Sequence, residues 1–209
     1  MRDYRLRYLK FRENPDTDQK DGESVEEMSL LEIKTFGCPV LRQKASSVEE
    51  VTDDIRSLVQ DMFETMYAAE GIGLAAPQVG MSIQLLIMDV SPSDPEATPT
   101  VLINPEVVSA DGEITGEEGC LSLPGVSGEV KRHANIAVRA LDENGCSVEY
   151  ELSEIHSRVA QHEVDHLDGT LVTDHFSTIK RNLLRGQLRK LKREGVRQTP
   201  GLMYTTETA

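Results

Sequence analysis

Apolar residues recur at helical spacing in the segment between residues 52 and 71. The apolar positions are Ile55, Leu58, Val59, Met62, Phe63 and Met66. Their i, i+3, i+4, i+7 spacing predicts an amphipathic helix with one buried face. Thr52 or Asp53 provides the N-cap, and Gly71 lies beyond the end of the pattern. We expect this helix to form part of the core scaffold.

Short apolar runs predict strands further along the chain. Residues 83–90 and 101–104 form two such runs, separated by a proline-containing loop. Residues 136–141 and 148–152 alternate between apolar and polar positions on either side of an Asn-Gly pair. This arrangement is typical of a β-hairpin.

Two further helices are predicted in the second half of the chain. One runs through Val159, His162 and His166 and ends near Gly169, and the other spans about residues 177–194. Strands paired as hairpins, with helices gathered at the ends, favour an α+β fold over a doubly wound sheet. We expect antiparallel sheets packed around a central helix that carries the sequence HEVDH, with a C-terminal helix.

The composition fits one compact domain with two tails. A chain of 209 residues suits a single hydrophobic core. Polar and acidic residues 1–28 are predicted to form a mobile N-terminal extension, residues 29–195 the domain, and residues 196–209 a flexible C-terminal tail. The net charge of −14 argues against a protein that coats nucleic acid with its whole surface. The Lys180–Arg197 segment is a basic exception, typical of a solvated helix face or of a phosphate contact.

Cysteine usage indicates a reducing compartment. Cys38, Cys120 and Cys146 are too few and too scattered for a secreted disulfide framework. The chain has no apolar run of membrane-spanning length, and its N-terminus lacks the apolar segment of a secretory signal. We therefore expect a cytoplasmic protein.

The segment His162-Glu163-Val164-Asp165-His166 contains the pattern H-E-x-x-H. Residues four apart lie one turn above each other on a helix, so both imidazoles can reach one metal ion with Glu163 beside it. Such a site suits hydrolysis. The alternative is a chance match on a charged helix surface, because only three positions of the pattern are specified.

Two histidines require a third ligand, and its identity separates protein families. A metzincin-like continuation would place histidine at position 172, where Val172 stands, and His175 comes three residues too late. A thermolysin-like glutamate would be Glu194, which lies among basic residues. Cys120 is the remaining candidate because a thiolate binds borderline and soft divalent metals. An isolated cysteine is otherwise most often a small buried apolar residue.

Three separated motifs resemble those of peptide deformylases, in the order found in that family. They are GIGLAAPQ at residues 71–78, EGCLS at residues 118–122 and QHEVDH at residues 161–166. The similarity extends from about Leu31 to Lys192. The resemblance implies a metal-dependent hydrolase that removes the N-formyl group from the initiator methionine of newly synthesised peptides and releases formate.

The resemblance also implies a set of site residues. It identifies the metal ligands as Cys120, His162 and His166. A metal-bound hydroxide would attack the formyl carbonyl, with Glu163 as general base and then acid. The Gln78 side chain and the Leu121 backbone N–H would form the oxyanion hole.

Candidate substrate contacts lie next to these positions. Ile155 and Val159 share a helix face with the histidines and are candidates for the wall of a methionine pocket, although core packing explains them equally well. Backbone groups of Ile72, Gly73 and Gly119 are candidates for binding an extended peptide beside a strand.

The resemblance implies a cofactor, a partner and a location. Cysteine and histidine ligands suit Fe²⁺, Zn²⁺, Ni²⁺ or Co²⁺, and the family is typically iron-dependent, so we expect Fe²⁺ with the others as substitutes. The basic segment Lys180–Arg197 is a candidate for ribosome contact, and formylated initiation implies a bacterial cytoplasm. Many family members carry arginine where Ser127 stands, which leaves specificity beyond methionine open.

Two other functions are compatible with the same residues. A metal-stabilised binding protein would use Cys120 and the two histidines only to hold its fold, but it would have no use for Glu163 or Gln78. A zinc endopeptidase would use the same helix to cleave internal peptide bonds.

Overall fold

The computed structural model describes residues 30–198. These residues form five α-helices and seven strands. The helices are α1 Asp53–Ala68, α2 Glu154–Leu167, α3 Val172–His175, α4 Thr178–Leu183 and α5 Arg185–Gly195. The strands are β1 Gly73–Ala75, β2 Leu85–Met88, β3 Thr100–Asp111, β4 Ile114–Gly119, β5 Ser127–Arg132, β6 Asn135–Leu141 and β7 Ser147–Ser153. No helix among residues 30–198 is long and apolar enough to cross a membrane.

The strands form two antiparallel sheets. Five of them make one sheet in the order β1-β2-β3-β6-β7, and β4 pairs with β5 in a separate ribbon. The β6–β7 hairpin turns at Gly145, which has a positive φ of 79°. The predicted α+β fold with antiparallel sheets is confirmed.

Helix α1 covers one face of the five-stranded sheet. The Thr52 side chain accepts a hydrogen bond from the Ile55 N–H and caps the helix, so Thr52 is the N-cap of the two predicted candidates, Thr52 and Asp53. The apolar stripe of α1 packs in one core cluster with Leu85 and Ile87, which are alternate residues of β2. The side chains between them, Leu86 and Met88, point to the opposite face.

Helix α2 packs against that opposite face. Val159, Ala160 and Leu167 of the helix share a core cluster with Leu86 and with apolar residues of β6. The histidines of HEVDH lie on this helix, so the sheet fixes their position from one side. The predicted central position of the helix is confirmed.

The structure corrects the predicted strands in two ways. Residues 83–90 contain a strand only from Leu85 to Met88, whereas β3 continues well beyond the predicted end at Asn104. The strand continues past Pro105, which has no N–H to donate, through a register shift between Ile103 and Glu106.

Strands β4 and β5 were not predicted, because their pattern of apolar residues is weak. The side chains that they bury include Glu118 and Arg132, which form an ion pair with each other. A strand whose buried positions are charged does not show the usual alternation. Strand β1 was missed because it has only three residues.

The predicted helix over residues 177–194 is wrong as a single element. The chain forms α4 and α5 with a break at Leu184, where ψ is −2°. Gly186 follows the break, and glycine has a low helix propensity. Helix α3, which precedes them, was not predicted.

The predicted tails lie almost entirely outside the described residues. This holds for the extension over residues 1–28 and for the tail beyond Gln198. Residues 196–198 are described, and the Gln198 side chain is hydrogen-bonded to Thr35. The domain boundaries at 29 and 195 stay predictions.

Candidate active site

Three potential metal ligands lie together where strand β4 meets helix α2. Cys120 Sγ and one ring nitrogen each of His162 and His166 are within 4.8 Å of one another. Cys120 Sγ is 3.2 Å from His166 Nε2. Both histidines are buried, and the thiol is half-buried. A thiolate and two imidazoles at these separations fit a divalent transition metal.

Local structure explains how the three side chains meet. His162 and His166 are one turn apart on α2, with ring centroids separated by 5.1 Å. Cys120 comes directly after the last residue of β4, in a turn closed by a hydrogen bond from the Leu123 N–H to the Cys120 carbonyl (2.9 Å). The β4–β5 ribbon therefore presents the thiol to the helix.

Glu118, two residues before Cys120, orients His162. Its Oε2 lies 3.0 Å from His162 Nδ1, which leaves Nε2 for a metal. Arg132 donates two hydrogen bonds to the same carboxylate, at 3.0 and 2.9 Å, and Arg158 donates one at 2.7 Å. Burial alone would raise the pKa of Glu118, but the hydrogen bonds from His162 and Arg132 outweigh it and lower the pKa to about 2.

Glu163 lies buried beside the ligands and only 4% of its surface is exposed. Burial raises the pKa of Glu163 to about 7, against the opposing effect of positive charge on His162. A side chain at Gly73 would collide with Glu163 Oε1, so glycine at that position lets strand β1 approach the carboxyl group. The group is thus held close to the cleft with a pKa near neutrality.

Gln78 directs an amide donor toward the same place. It belongs to a short 3₁₀ helix, Ala76–Val79, and its Oε1 accepts a hydrogen bond from the Ala75 N–H at 2.7 Å. Nε2 therefore faces the turn after β4, 3.5 Å from Cys120 Sγ and 3.4 Å from Ser122 Oγ. In that turn, the Leu121 N–H makes no hydrogen bond to any backbone carbonyl of residues 30–198.

These groups open into a cleft with a volume of about 470 Å³. The predicted substrate-contact residues all line it, namely Ile72, Gly73, Gly119, Ile155 and Val159. Gln78, Cys120, Leu121, His162 and Glu163 line it as well. Of the predicted site residues only His166 is not in the cleft wall, and it is 1% exposed beneath it.

Comparison with known proteins identifies the family. Residues 30–182 match the family model described as polypeptide deformylase. Peptide deformylase of Thermodesulfovibrio yellowstonii is 46% identical over 165 residues, which cover 79% of this chain and 100% of that protein. That of Alkalilimnicola ehrlichii is 46% identical over 168 residues, covering 80% and 94%. The crystal structure of a peptide deformylase from Legionella pneumophila has a TM-score of 0.73 at 39% identity, covering 82% of this chain and 100% of that one.

The chain belongs to the peptide deformylase family. As a member it is a hydrolase that removes the N-formyl group from newly synthesised peptides. The family inferred from the three sequence motifs is confirmed. Membership in this metal-dependent family also explains why three ligand atoms converge beside the cleft.

Several residues around this deformylase site were not singled out from the sequence. Arg132 and Arg158 hold Glu118, and Arg132 also donates to Asp165 at 2.6 Å. Asp165 Oδ2 is in turn 2.7 Å from His175 Nε2. Arg158 and His162 are four residues apart on one helix, and this spacing could have placed Arg158 beside the site. No sequence pattern marks Arg132.

The cleft lining also includes residues that no motif indicated. Glu70, Glu117, Pro124 and Gly125 line it. At the position where many family members have arginine, Ser127 donates a hydrogen bond of 2.6 Å to Glu117 Oε1. A serine bonded to the carboxylate of Glu117, which lines the cleft, therefore stands at this position.

We predict that Glu118→Gln weakens metal binding by about 10- to 100-fold, the usual effect of losing a partner that orients a ligand. The amide cannot accept hydrogen bonds from His162 and both arginines as a carboxylate does. Metal affinity is measured by competition with a chelator at constant pH. Glu129→Gln, an exposed position on β5, is the matched control. Unchanged affinity in a folded Glu118→Gln protein would contradict the prediction.

Proposed function

We propose that this enzyme hydrolyses the formyl amide of N-terminal formylmethionine, with a divalent metal held by Cys120, His162 and His166. The observation that carries the proposal is the convergence of this ligand set, the buried carboxyl group of Glu163 and the amide of Gln78 on one cleft. A site that only stabilised the fold would need neither of the last two groups.

Each group has a role that follows from its chemistry. A divalent metal in this ligand set would lower the pKa of a bound water and polarise a carbonyl. Glu163, whose pKa is raised by burial, takes the proton of the attacking water and returns it to the departing nitrogen. Gln78 Nε2 and the Leu121 N–H donate to the oxyanion that forms on the former carbonyl oxygen. Formate and a free amino terminus are the products.

The cleft also supplies contacts for the rest of the substrate. A formyl carbon carries only hydrogen beside its oxygen and nitrogen, so it reaches a confined site that excludes larger acyl groups. Ile155 and Val159 give an apolar wall for the methionine side chain. Ile72, Gly73 and Gly119 line the cleft, and we propose that their backbone groups pair with an extended peptide.

The proposed activity is tested with three peptides of similar length. Formyl-Met-Ala-Ser should be hydrolysed, acetyl-Met-Ala-Ser should react far more slowly because its methyl group does not fit, and an unmodified peptide should stay intact. Formate and new amino termini are measured separately. Cleavage of an internal peptide bond would favour the endopeptidase alternative and overturn the proposal.

Glu163→Gln tests the proposed proton transfer. We expect metal content to stay unchanged while kcat falls by about 10²- to 10⁴-fold, the usual contribution of general acid–base catalysis. The amide has nearly the same size as the carboxyl group but takes up no proton near pH 7. Metal analysis and formate release are measured on the same samples, with Glu129→Gln as control. Turnover close to wild type would refute the role of Glu163.

We propose Fe²⁺ as the native metal, with Zn²⁺, Ni²⁺ or Co²⁺ as substitutes. The cysteine and histidine ligands accept all four ions, and the iron preference rests on the resemblance to the family. Protein purified without oxygen should contain iron, and activity should follow iron content and decline in air. Full activity in a sample that contains only zinc would contradict the preference.

We propose that the basic face of helices α4 and α5 contacts ribosomal RNA in a bacterial cytoplasm. Arg181, Arg185 and Arg189 are exposed there, as phosphate contacts require. Changing these three residues to glutamate should abolish salt-sensitive cosedimentation with ribosomes. Lys44→Glu, an exposed lysine outside this face, should have no effect. Equal pelleting of both variants would rule out this contact.

A further inference from the structure

A segment outside the regular helices and strands, residues 32–36, connects the two loops of the active site. The Lys34 N–H donates to the Gln78 carbonyl at 2.7 Å, and the Phe36 N–H donates to the Ser122 carbonyl at 2.8 Å. The first bond holds the loop that carries Gln78 and its side-chain amide. The second holds the turn that contains Cys120 and Leu121. The spacing of these two loops therefore depends on where the segment lies.

Gln198 holds the opposite edge of this segment. Its Oε1 accepts hydrogen bonds from the Thr35 N–H at 2.7 Å and from the Thr35 hydroxyl at 3.1 Å. Its Nε2 donates to the Ile33 carbonyl at 3.3 Å and to the Glu32 carboxylate at 3.0 Å. In an extended chain, the backbone groups of successive residues point to opposite sides. The side-chain amide of Gln198 thus binds the segment as a neighbouring strand would.

Close packing with helix α5 sets the position of Gln198. A side chain at Gly195 would collide with the carbonyl oxygens of Thr35 and Phe36, and one at Gly37 would collide with the backbone of Lys192. The Gln198 N–H donates to the Gly195 carbonyl at 3.0 Å in the turn that ends the helix. Glycine at both contact points allows the helix end to lie directly against the segment.

We infer that Gln198 is a positioning residue for the oxyanion hole, acting through segment 32–36 on the distance between Gln78 Nε2 and the Leu121 N–H. The inference rests on the proposed function, which assigns these two groups as the donors. Donors stabilise an oxyanion only at about 2.7–3.1 Å, so small shifts of one loop against the other reduce catalysis. The side chain itself lies outside the cleft lining and does not touch substrate.

The test replaces Gln198 by methionine in the full-length metal-loaded enzyme. Methionine keeps the length of the side chain and removes all of its hydrogen bonds. We expect kcat for formyl-Met-Ala-Ser to fall about tenfold, because misplacing a catalytic group by less than 1 Å has effects of this order. KM should stay within about twofold, since the methionine pocket is lined from α2 and is not held by this segment. Metal content should be unchanged.

Two further measurements separate positioning from a general loss of structure. In a Gln78→Ala background, Gln198→Met should lower kcat by clearly less than the tenfold seen in wild type, because one of the two donors whose spacing it sets is already absent. Gln43→Met is the matched control, since Gln43 is exposed and makes no side-chain hydrogen bond to other described residues. Its kcat should equal that of wild type.

Three outcomes decide the question. Wild-type kcat in Gln198→Met, or the same tenfold loss in both backgrounds, overturns the positioning role. Full activity of Gln78→Ala alone overturns the assignment of Gln78 in the proposed function. If the methionine variant does not fold, Gln198→Glu takes its place. It keeps the acceptor for Thr35 but cannot donate to Ile33, and we expect the same loss of kcat and the same dependence on Gln78.

Discussion

The active site depends on the hydrogen bonds and ion pairs made by one buried carboxylate, that of Glu118. It receives hydrogen bonds from Arg132 on β5, from Arg158 on α2 and from His162, a proposed metal ligand. Taking these charges out of water is costly, and the cost is offset only while every member has its partner. The same contacts that satisfy the carboxylate therefore hold the small β4–β5 ribbon against the helix. Cys120 follows directly from that ribbon, so the position of the third proposed ligand depends on this ion-pair network.

The second requirement of the site is a dry, closely packed neighbourhood for Glu163. Strand β1 can approach the carboxyl group only because Gly73 has no side chain, and the five-stranded sheet holds that strand in place. Exclusion of water raises the pKa of Glu163, which suits the proton transfers proposed for this carboxyl group. Packing and acid–base chemistry are thus consequences of one arrangement.

The two proposed oxyanion donors, Gln78 and the Leu121 N–H, lie in separate loops that belong to no common helix or strand. Gln78 follows β1 of the five-stranded sheet, and Leu121 follows β4 of the β4–β5 ribbon. The segment before the first helix bridges them through Lys34 and Phe36. The end of α5 contacts that segment on the side opposite the two loops. The last described residues of the chain therefore contribute to the geometry of the GIGLAAPQ motif, which contains Gln78.

Local patterns in the sequence were sufficient to predict the elements whose structure depends on residues close together in the chain. Helical spacing predicted α1 and placed His162 and His166 on one face, and an Asn-Gly turn predicted the β6–β7 hairpin. The three motifs together indicated the family, because their order along the chain is preserved whatever the details of packing.

Tertiary structure decided the features that depend on residues far apart in the chain. Cys120 and His166 are separated by 46 positions, and only folding brings the thiol within 3.2 Å of the imidazole. Strands β4 and β5 bury an ion pair in place of an apolar pattern, so periodicity could not reveal them. The contact between Gln198 and Thr35 spans 163 positions. Such pairings are set by the packing of whole elements, which local spacing does not encode. The relative position of His162 and His166, in contrast, is set by the period of a single helix.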